Sequence, residues 1–192
     1  MQLDWRLYSL LNGLAGRSPA LDTIIRLLMN DYLMPTALVL CTFGLWFVGK
    51  SPTSREHNQR GVLSAATSIL LVNLVIKAVN LVVYRYRPFA FHQVNLLFYY
   101  PSDSSFPSNA AGTGFAVATA VWLVNRRMGW LLFVFASLFG IARVSGGVHY
   151  PGDIVGGALI GMCCSYLIVR KAPLLDQLWS WTIRFLRRLL LA

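Results

Sequence analysis

Arg143-Val144-Ser145-Gly146-Gly147-Val148-His149-Tyr150-Pro151-Gly152-Asp153 gathers a cation, an imidazole and a carboxylate around a glycine-rich turn. His149 and Asp153 stand four residues apart. At that spacing a carboxylate can hold one ring nitrogen and leave the other free, as a nucleophilic or general-base histidine requires. A second stretch, Phe106-Pro107-Ser108-Asn109, opens an apolar run that continues Ala110, Ala111, Gly112, Thr113, Gly114. A helix starting here would offer free N–H groups and the positive end of its dipole to an anion. Small residues at that point serve close helix packing equally well. The third set is Asn73, Lys77, Asn80, Tyr84 and Arg87, which share one arc of roughly 80° if helix runs that far. A lysine inside an apolar run faces a polar cavity or a partner, or else snorkels to the surface.

These residues need elements to hold them, and the composition says which kind. The chain has 192 residues, 56% hydrophobic and only 12% charged, with mean hydropathy +0.57. An average soluble domain is about 25% charged. The composition therefore predicts a single all-α membrane domain over residues 1–192. Uncharged or nearly uncharged runs lie at Tyr32–Val48, Gly61–Tyr84, Ser104–Asn125, Met128–Ala142 and Ile154–Val169. They predict a bundle of five transmembrane helices, or six if residues 18–30 insert. Leu3, Leu7, Leu10, Leu11 and Leu14, with Trp5 and Tyr8, predict an amphipathic N-terminal helix in the membrane interface. Leu175, Leu178, Trp179, Thr182, Leu186 and Leu189, opposite arginines, predict a basic amphipathic C-terminal helix.

The net charge of +10 sits mostly in clusters between and after the apolar runs, which argues for topology signals and against nucleic acid. Lys50, Arg55, Arg60, Arg126, Arg127, Arg170, Lys171, Arg184, Arg187 and Arg188 are expected on the cytoplasmic side. Loops 85–107 and 143–153, which carry Arg85, Arg87 and Arg143, are then expected outside. Cys41, Cys163 and Cys164 lie in apolar runs without metal-type spacing and read as free thiols.

The motifs, taken in order, resemble the type 2 phosphatidic acid phosphatase superfamily of integral-membrane lipid phosphatases. Its signatures are Lys-x6-Arg-Pro, Pro-Ser-x-His and Ser-Arg-x5-His-x3-Asp. Arg87-Pro88, Pro107-Ser108 and Arg143-x5-His149-x3-Asp153 match them, within a core of about 60–170. Arg87-Pro88-Phe89-Ala90-Phe91-His92 and the short chain look most like the bacitracin-resistance type of undecaprenyl-diphosphate phosphatase. The resemblance implies a multi-pass protein of the cell membrane with its active site on the outer face. It implies a polyprenyl diphosphate or another lipid phosphate as substrate, with no metal or other cofactor. It gives His149 the role of nucleophile, forming a phosphohistidine, with Asp153 orienting its ring. Arg87, Arg143, Ser108, Asn109 and the amides of that helix start would bind the phosphoryl oxygens.

Three positions depart from the pattern. Asn80 stands where the family has lysine; either Lys77, one turn earlier, substitutes for it in binding phosphate or the lysine is dispensable here. Ala142 replaces the serine before Arg143. Ala110 occupies the position of the second histidine, which protonates the leaving group. Restoring histidine gives a complete motif, so we read Ala110 as a His-to-Ala change in an otherwise intact site. The rival reading is a pseudoenzyme that binds or moves lipid phosphate without turning it over. His92 can reach the site from the outer loop, as a phosphate contact or a replacement acid; His57 falls on the opposite side.

Overall fold

The computed structural model describes residues 2–171 and 173–188. Eight α-helices follow in order: α1 (Gln2–Asn12), α2 (Pro19–Leu28), α3 (Leu33–Gly44), α4 (Pro52–Asn80), α5 (Asn109–Val124), α6 (Arg126–Ser145), α7 (Pro151–Lys171) and α8 (Pro173–Arg188). Local signals set several starts. Ser18, Ser51, Ser108 and Asn125 each accept a backbone N–H from the first turn of the helix they precede, and Pro19 and Pro52 follow two of them.

The chain is an all-helical multi-pass membrane protein, but its spans are not five equal rods. Three helices, α4, α6 and α7, are long and apolar enough to cross a membrane on their own. Helices α2 and α3 meet that test only together, bent by 51° at their junction. Helix α5 has 16 residues, short of the ~20 that a lone crossing needs. It is surrounded by α4, α6 and α7, with residues 116–121 all buried, so its length is set by protein neighbours rather than by lipid. Helix α4 ends at Asn80, so Tyr84 and Arg87 do not share its face as an extended helix would require.

Glycines set how near the helices come. A Cβ at Gly157 would lie 2.2 Å from the Ser108 carbonyl oxygen, and one at Gly161 would lie 2.1 Å from that of Gly112. Helices α5 and α7 therefore touch backbone to backbone, and Ser165 Oγ bonds the Ala116 carbonyl at 2.6 Å. The same contact brings the start of α7 against the start of α5, where Ser108 N–H donates to the Asp153 carbonyl at 3.0 Å.

At the opposite end of α4, Arg60 pairs with Asp176 of α8 and Glu56 with Arg187, while Trp179 and Ile183 of α8 are buried. The amphipathic C-terminal helix thus packs on the bundle with part of its apolar face; Leu189 lies outside the described residues. The N-terminal helix α1 buries Tyr8 and Asn12 against the site end and leaves Leu3, Leu7 and Leu10 exposed.

Candidate active site

The turn between α6 and α7 carries His149. Gly147 makes that turn at φ +89°, a conformation that favours glycine, and a Cβ there would press on the Asn95 carbonyl at 3.0 Å. His149 is 3% exposed. Its Nδ1 lies 2.9 Å from the Ser105 carbonyl oxygen, and its Nε2 lies 3.2 Å from Arg87 Nη1. A carbonyl can only accept and a guanidinium can only donate. Both contacts therefore require one neutral tautomer, with the proton on Nδ1 and the lone pair on Nε2.

Asp153 does not hold the ring directly, contrary to what its spacing from His149 predicts. Its Oδ2 is 3.7 Å from Nδ1, beyond hydrogen-bond range. That oxygen instead accepts from Ser105 Oγ and from Tyr150 N–H, and Oδ1 accepts from Arg85 Nη1 at 2.7 Å. The Ser105 backbone has taken the place at the ring, with the carboxylate one step behind it.

Arg87 lies on the segment after α4 and is 5% exposed. It donates to the carbonyls of Val148 and Asp103 and to the Asp103 carboxylate at 2.8 Å. Arg143, in the last turn of α6, pairs with Asp31 and lies near the rings of Phe98 and Phe139. Asp31 also accepts from Tyr99 Oη at 3.0 Å. Arg87, Arg143 and His149 line one cavity of about 300 Å³ with Asp31, Asn80, Tyr99, Asp103, Asn109 and Ala110. The amides of Asn109 and Ala110, in the first turn of α5, have no carbonyl one turn back to bond. The cavity thus joins two cations, a helix N-terminus and a ring nitrogen whose lone pair accepts a hydrogen bond from Arg87, which an arriving phosphoryl group would displace. That combination can hold a phosphoryl group and attack it.

The structure places five other residues singled out in the sequence as follows. Lys77 is exposed and does not line the cavity; Asn80 does, with its Oδ1 buried and unpartnered. Val72 and Ile76 face Gly112 of α5. At 100° per residue Asn80 falls about 40° from Ile76 and Lys77 about 100°. Ser108 is fully buried as the cap of α5, its Oγ accepting from Ala111 N–H, and is absent from the cavity lining. His92 is exposed and packs tilted against Trp5 with ring centroids 3.9 Å apart, outside the cavity lining, so it does not replace a missing acid there. Ala142 packs in an apolar cluster with Met29 and Val148.

The residues that sequence reasoning missed are Ser105, Arg85 and the carboxylates Asp4, Asp31 and Asp103. A signal was available. The chain has only seven acidic residues, and Asp4, Asp31, Asp103 and Asp153 all pair with Arg85, Arg87 or Arg143. Among the described residues no group of three or more His, Cys, Asp or Glu is placed to hold a metal ion.

Burial lowers the His149 imidazole to about 4 from its ordinary 6.5; Arg143 and Arg87 add to this, and the Asp153 interactions oppose it. As pH falls through 6.5 the unfolded chain takes up the proton first, so this group's stabilisation fades between about 6.5 and 4 and is full above 6.5. The His149 resonance followed against pH should accordingly titrate near 4; a midpoint at 6 to 7 would contradict the buried neutral ring.

The chain matches the PAP2 superfamily over residues 61–175. It is 28% identical over 182 residues to undecaprenyl-diphosphatase BcrC of Bacillus subtilis (strain 168), covering 95% of this chain and 91% of that one. Its fold is similar to that in the crystal structure of Aquifex aeolicus LpxE, with TM-score 0.67, 27% identity and coverage of 88% and 95%. It is also similar to the PAP2-type phosphatidylglycerolphosphate phosphatase of Bacillus subtilis, with TM-score 0.54, 24% identity and coverage of 87% and 83%.

Proposed function

The chain belongs to the PAP2 superfamily, and from that premise we propose that it hydrolyses the terminal phosphate of a polyprenyl diphosphate at the outer face of the cell membrane, through a phosphohistidine on His149. The observation that carries this reading is the His149 ring. It is buried between Ser105 and Arg87, with its Nε2 lone pair beside a cavity lined by two arginines. The likeness to undecaprenyl-diphosphatase BcrC over most of both chains supports the choice of a polyprenyl diphosphate.

In this reading Nε2 attacks the terminal phosphorus. A P–N bond forms as the P–O bond to the lipid monophosphate breaks, and positive charge develops on the ring. The proton stays on Nδ1, donated in a hydrogen bond to the Ser105 carbonyl, with Asp153 behind it to stabilise that charge. Arg87, Arg143 and the first amides of α5 hold the equatorial oxygens. Water then cleaves the P–N bond, releasing inorganic phosphate and the neutral ring. Ala110 supplies no proton to the departing oxygen, which slows the first step. A diphosphate tolerates this better than a phosphatidate, because a phosphomonoester leaves more readily than an alkoxide. The outer orientation rests on the basic clusters. Arg60, Arg126 and Arg170 lie at the helix ends away from the cavity.

The test is inorganic phosphate release in detergent from undecaprenyl diphosphate, phosphatidic acid and phosphatidylglycerophosphate. The expected order puts the diphosphate first. A phosphatidate or phosphatidylglycerophosphate preference would reassign the substrate. Silence on all three, with lipid-phosphate binding that depends on Arg87 and Arg143, would replace the enzyme with a binding protein.

A further inference from the structure

Arg85 has no role in the chemistry above, yet its backbone and side chain both touch the residues that support His149. Its backbone carbonyl accepts the Ser105 N–H at 2.8 Å, and its own N–H donates to Ser104 Oγ. It thus fixes the residue whose carbonyl holds the ring. Its Nη1 reaches Asp153 at 2.7 Å, and its guanidinium lies 4.1 Å from the centre of the Tyr150 ring. The other arm of the fork, Nη2, is held at 2.6 Å by Asp4, in the first turn of α1.

We propose that Asp4 is a positioning residue for His149: by gripping Arg85 and the first turn of α7 together, it holds Asp153 and Ser105 in the arrangement that keeps the ring in one tautomer. This rests on the reading of His149 as the nucleophile. The fork geometry is the reason. A guanidinium is planar and rigid, so fixing one of its terminal nitrogens fixes where the other points. The side chain of Arg85 is 31% exposed, so water competes for it, whereas Asp153 is fully buried and needs a charged partner to stay ionised. Without Asp4 the fork is free to turn outward and leave that carboxylate short of a donor.

Asp4 has a second grip. Its Oδ1 accepts the Gly152 N–H at 2.8 Å, one residue before Asp153. A Cβ at Gly152 would meet the Asp4 carboxylate at 3.2–3.4 Å, so glycine keeps that approach open. Helix α1 is anchored at its far end as well. Asn12 donates to the carbonyls of Asn95 and Ser145 and accepts the Asn95 N–H, so Asp4 sits on a fixed arm. An isolated surface ion pair contributes little. Here one arginine is shared by two carboxylates, one of them wholly buried.

The test uses the full chain in detergent with His57→Gln and His92→Gln, so that His149 is the sole histidine, labelled with ¹⁵N. The parent should show the single Nδ1-protonated tautomer. Asp4→Ala and Asp4→Asn should each give a mixture of tautomers, and Asp4→Glu, which keeps the charge, should restore much of the parent signal. In parallel, kcat for phosphate release from undecaprenyl diphosphate should fall about 10-fold, as loss of an orienting partner behind a histidine does elsewhere, with KM unchanged. Adding Asp4→Ala to Arg85→Gln should cost less than Asp4→Ala does alone, because only the Gly152 contact is then left to lose. An unchanged tautomer in folded Asp4→Ala and Asp4→Asn overturns the proposal, whatever the activity. A shifted tautomer with no phosphate release from any variant upholds the positioning role and overturns the phosphatase reading instead.

Discussion

Replacing Ala110 by histidine is expected to raise phosphate release from undecaprenyl diphosphate by about 10²–10⁴-fold, the usual worth of a positioned general acid. Ala110 is the second residue of α5, half-buried, on the cavity shared by His149, Arg87 and Arg143. An imidazole placed there would lie at the positive end of the helix dipole, which makes its protonated form a readier donor. The cavity is the right place for a proton to be handed to the departing oxygen, and no other histidine reaches it, since His92 is held on Trp5. The measurement is a comparison of kcat and KM for the two proteins in the same detergent. A gain in kcat with little change in KM identifies an interaction made in the transition state. No gain on undecaprenyl diphosphate or on phosphatidic acid would count against the enzyme reading itself.

Removing the nucleophile should have the opposite and larger effect. In the Ala110→His background, His149→Ala should bring release down by at least about 10³-fold, since loss of a nucleophile in such units has cost as much as 10⁶. Nothing else in the cavity offers a neutral nitrogen lone pair beside two guanidinium groups. The packing loss from truncating a buried ring complicates that variant. His149→Gln is therefore the companion, because its amide N–H can still reach the Ser105 carbonyl. Lipid-phosphate affinity measured by ligand retention should survive both changes, because Arg87 and Arg143 remain. Retained turnover in both variants would remove His149 from the reaction.

The membrane character and the outline of the site were legible because both are written in local patterns. Apolar runs gave the long helices, and the Arg143–His149–Asp153 spacing marked the ring that the fold buries. What stayed hidden was the pairing between distant segments. Nothing near Asp4 announces that it meets an arginine 81 positions away. Spacing alone suggested that Asp153 touches His149, but spacing cannot show that Ser105, 44 residues earlier, inserts its carbonyl first. Lys77 and Asn80 are hard to tell apart by sequence for another reason. A lysine in an apolar run looks anomalous, while the asparagine one turn later, which faces the cavity, does not. Likewise α5 was counted as an ordinary span because hydropathy does not distinguish a helix wrapped in lipid from one wrapped in protein.

Asp31 and Asp103 bear on how the site empties. Each is tethered against the arginine it neutralises, so its effective concentration there is of millimolar order or above. A phosphate ion arriving from water must displace both and is a poor competitor at ordinary concentrations. In the proposed reaction a lipid anchored in the bilayer would arrive already confined, and its chain would retain it while the carboxylates give way. Once the phosphoryl group were free of that chain the advantage would be gone, and the two aspartates would re-form their pairs. On the proposed reading, the same salt bridges that leave the resting cavity nearly neutral would favour a tethered anion over an untethered one.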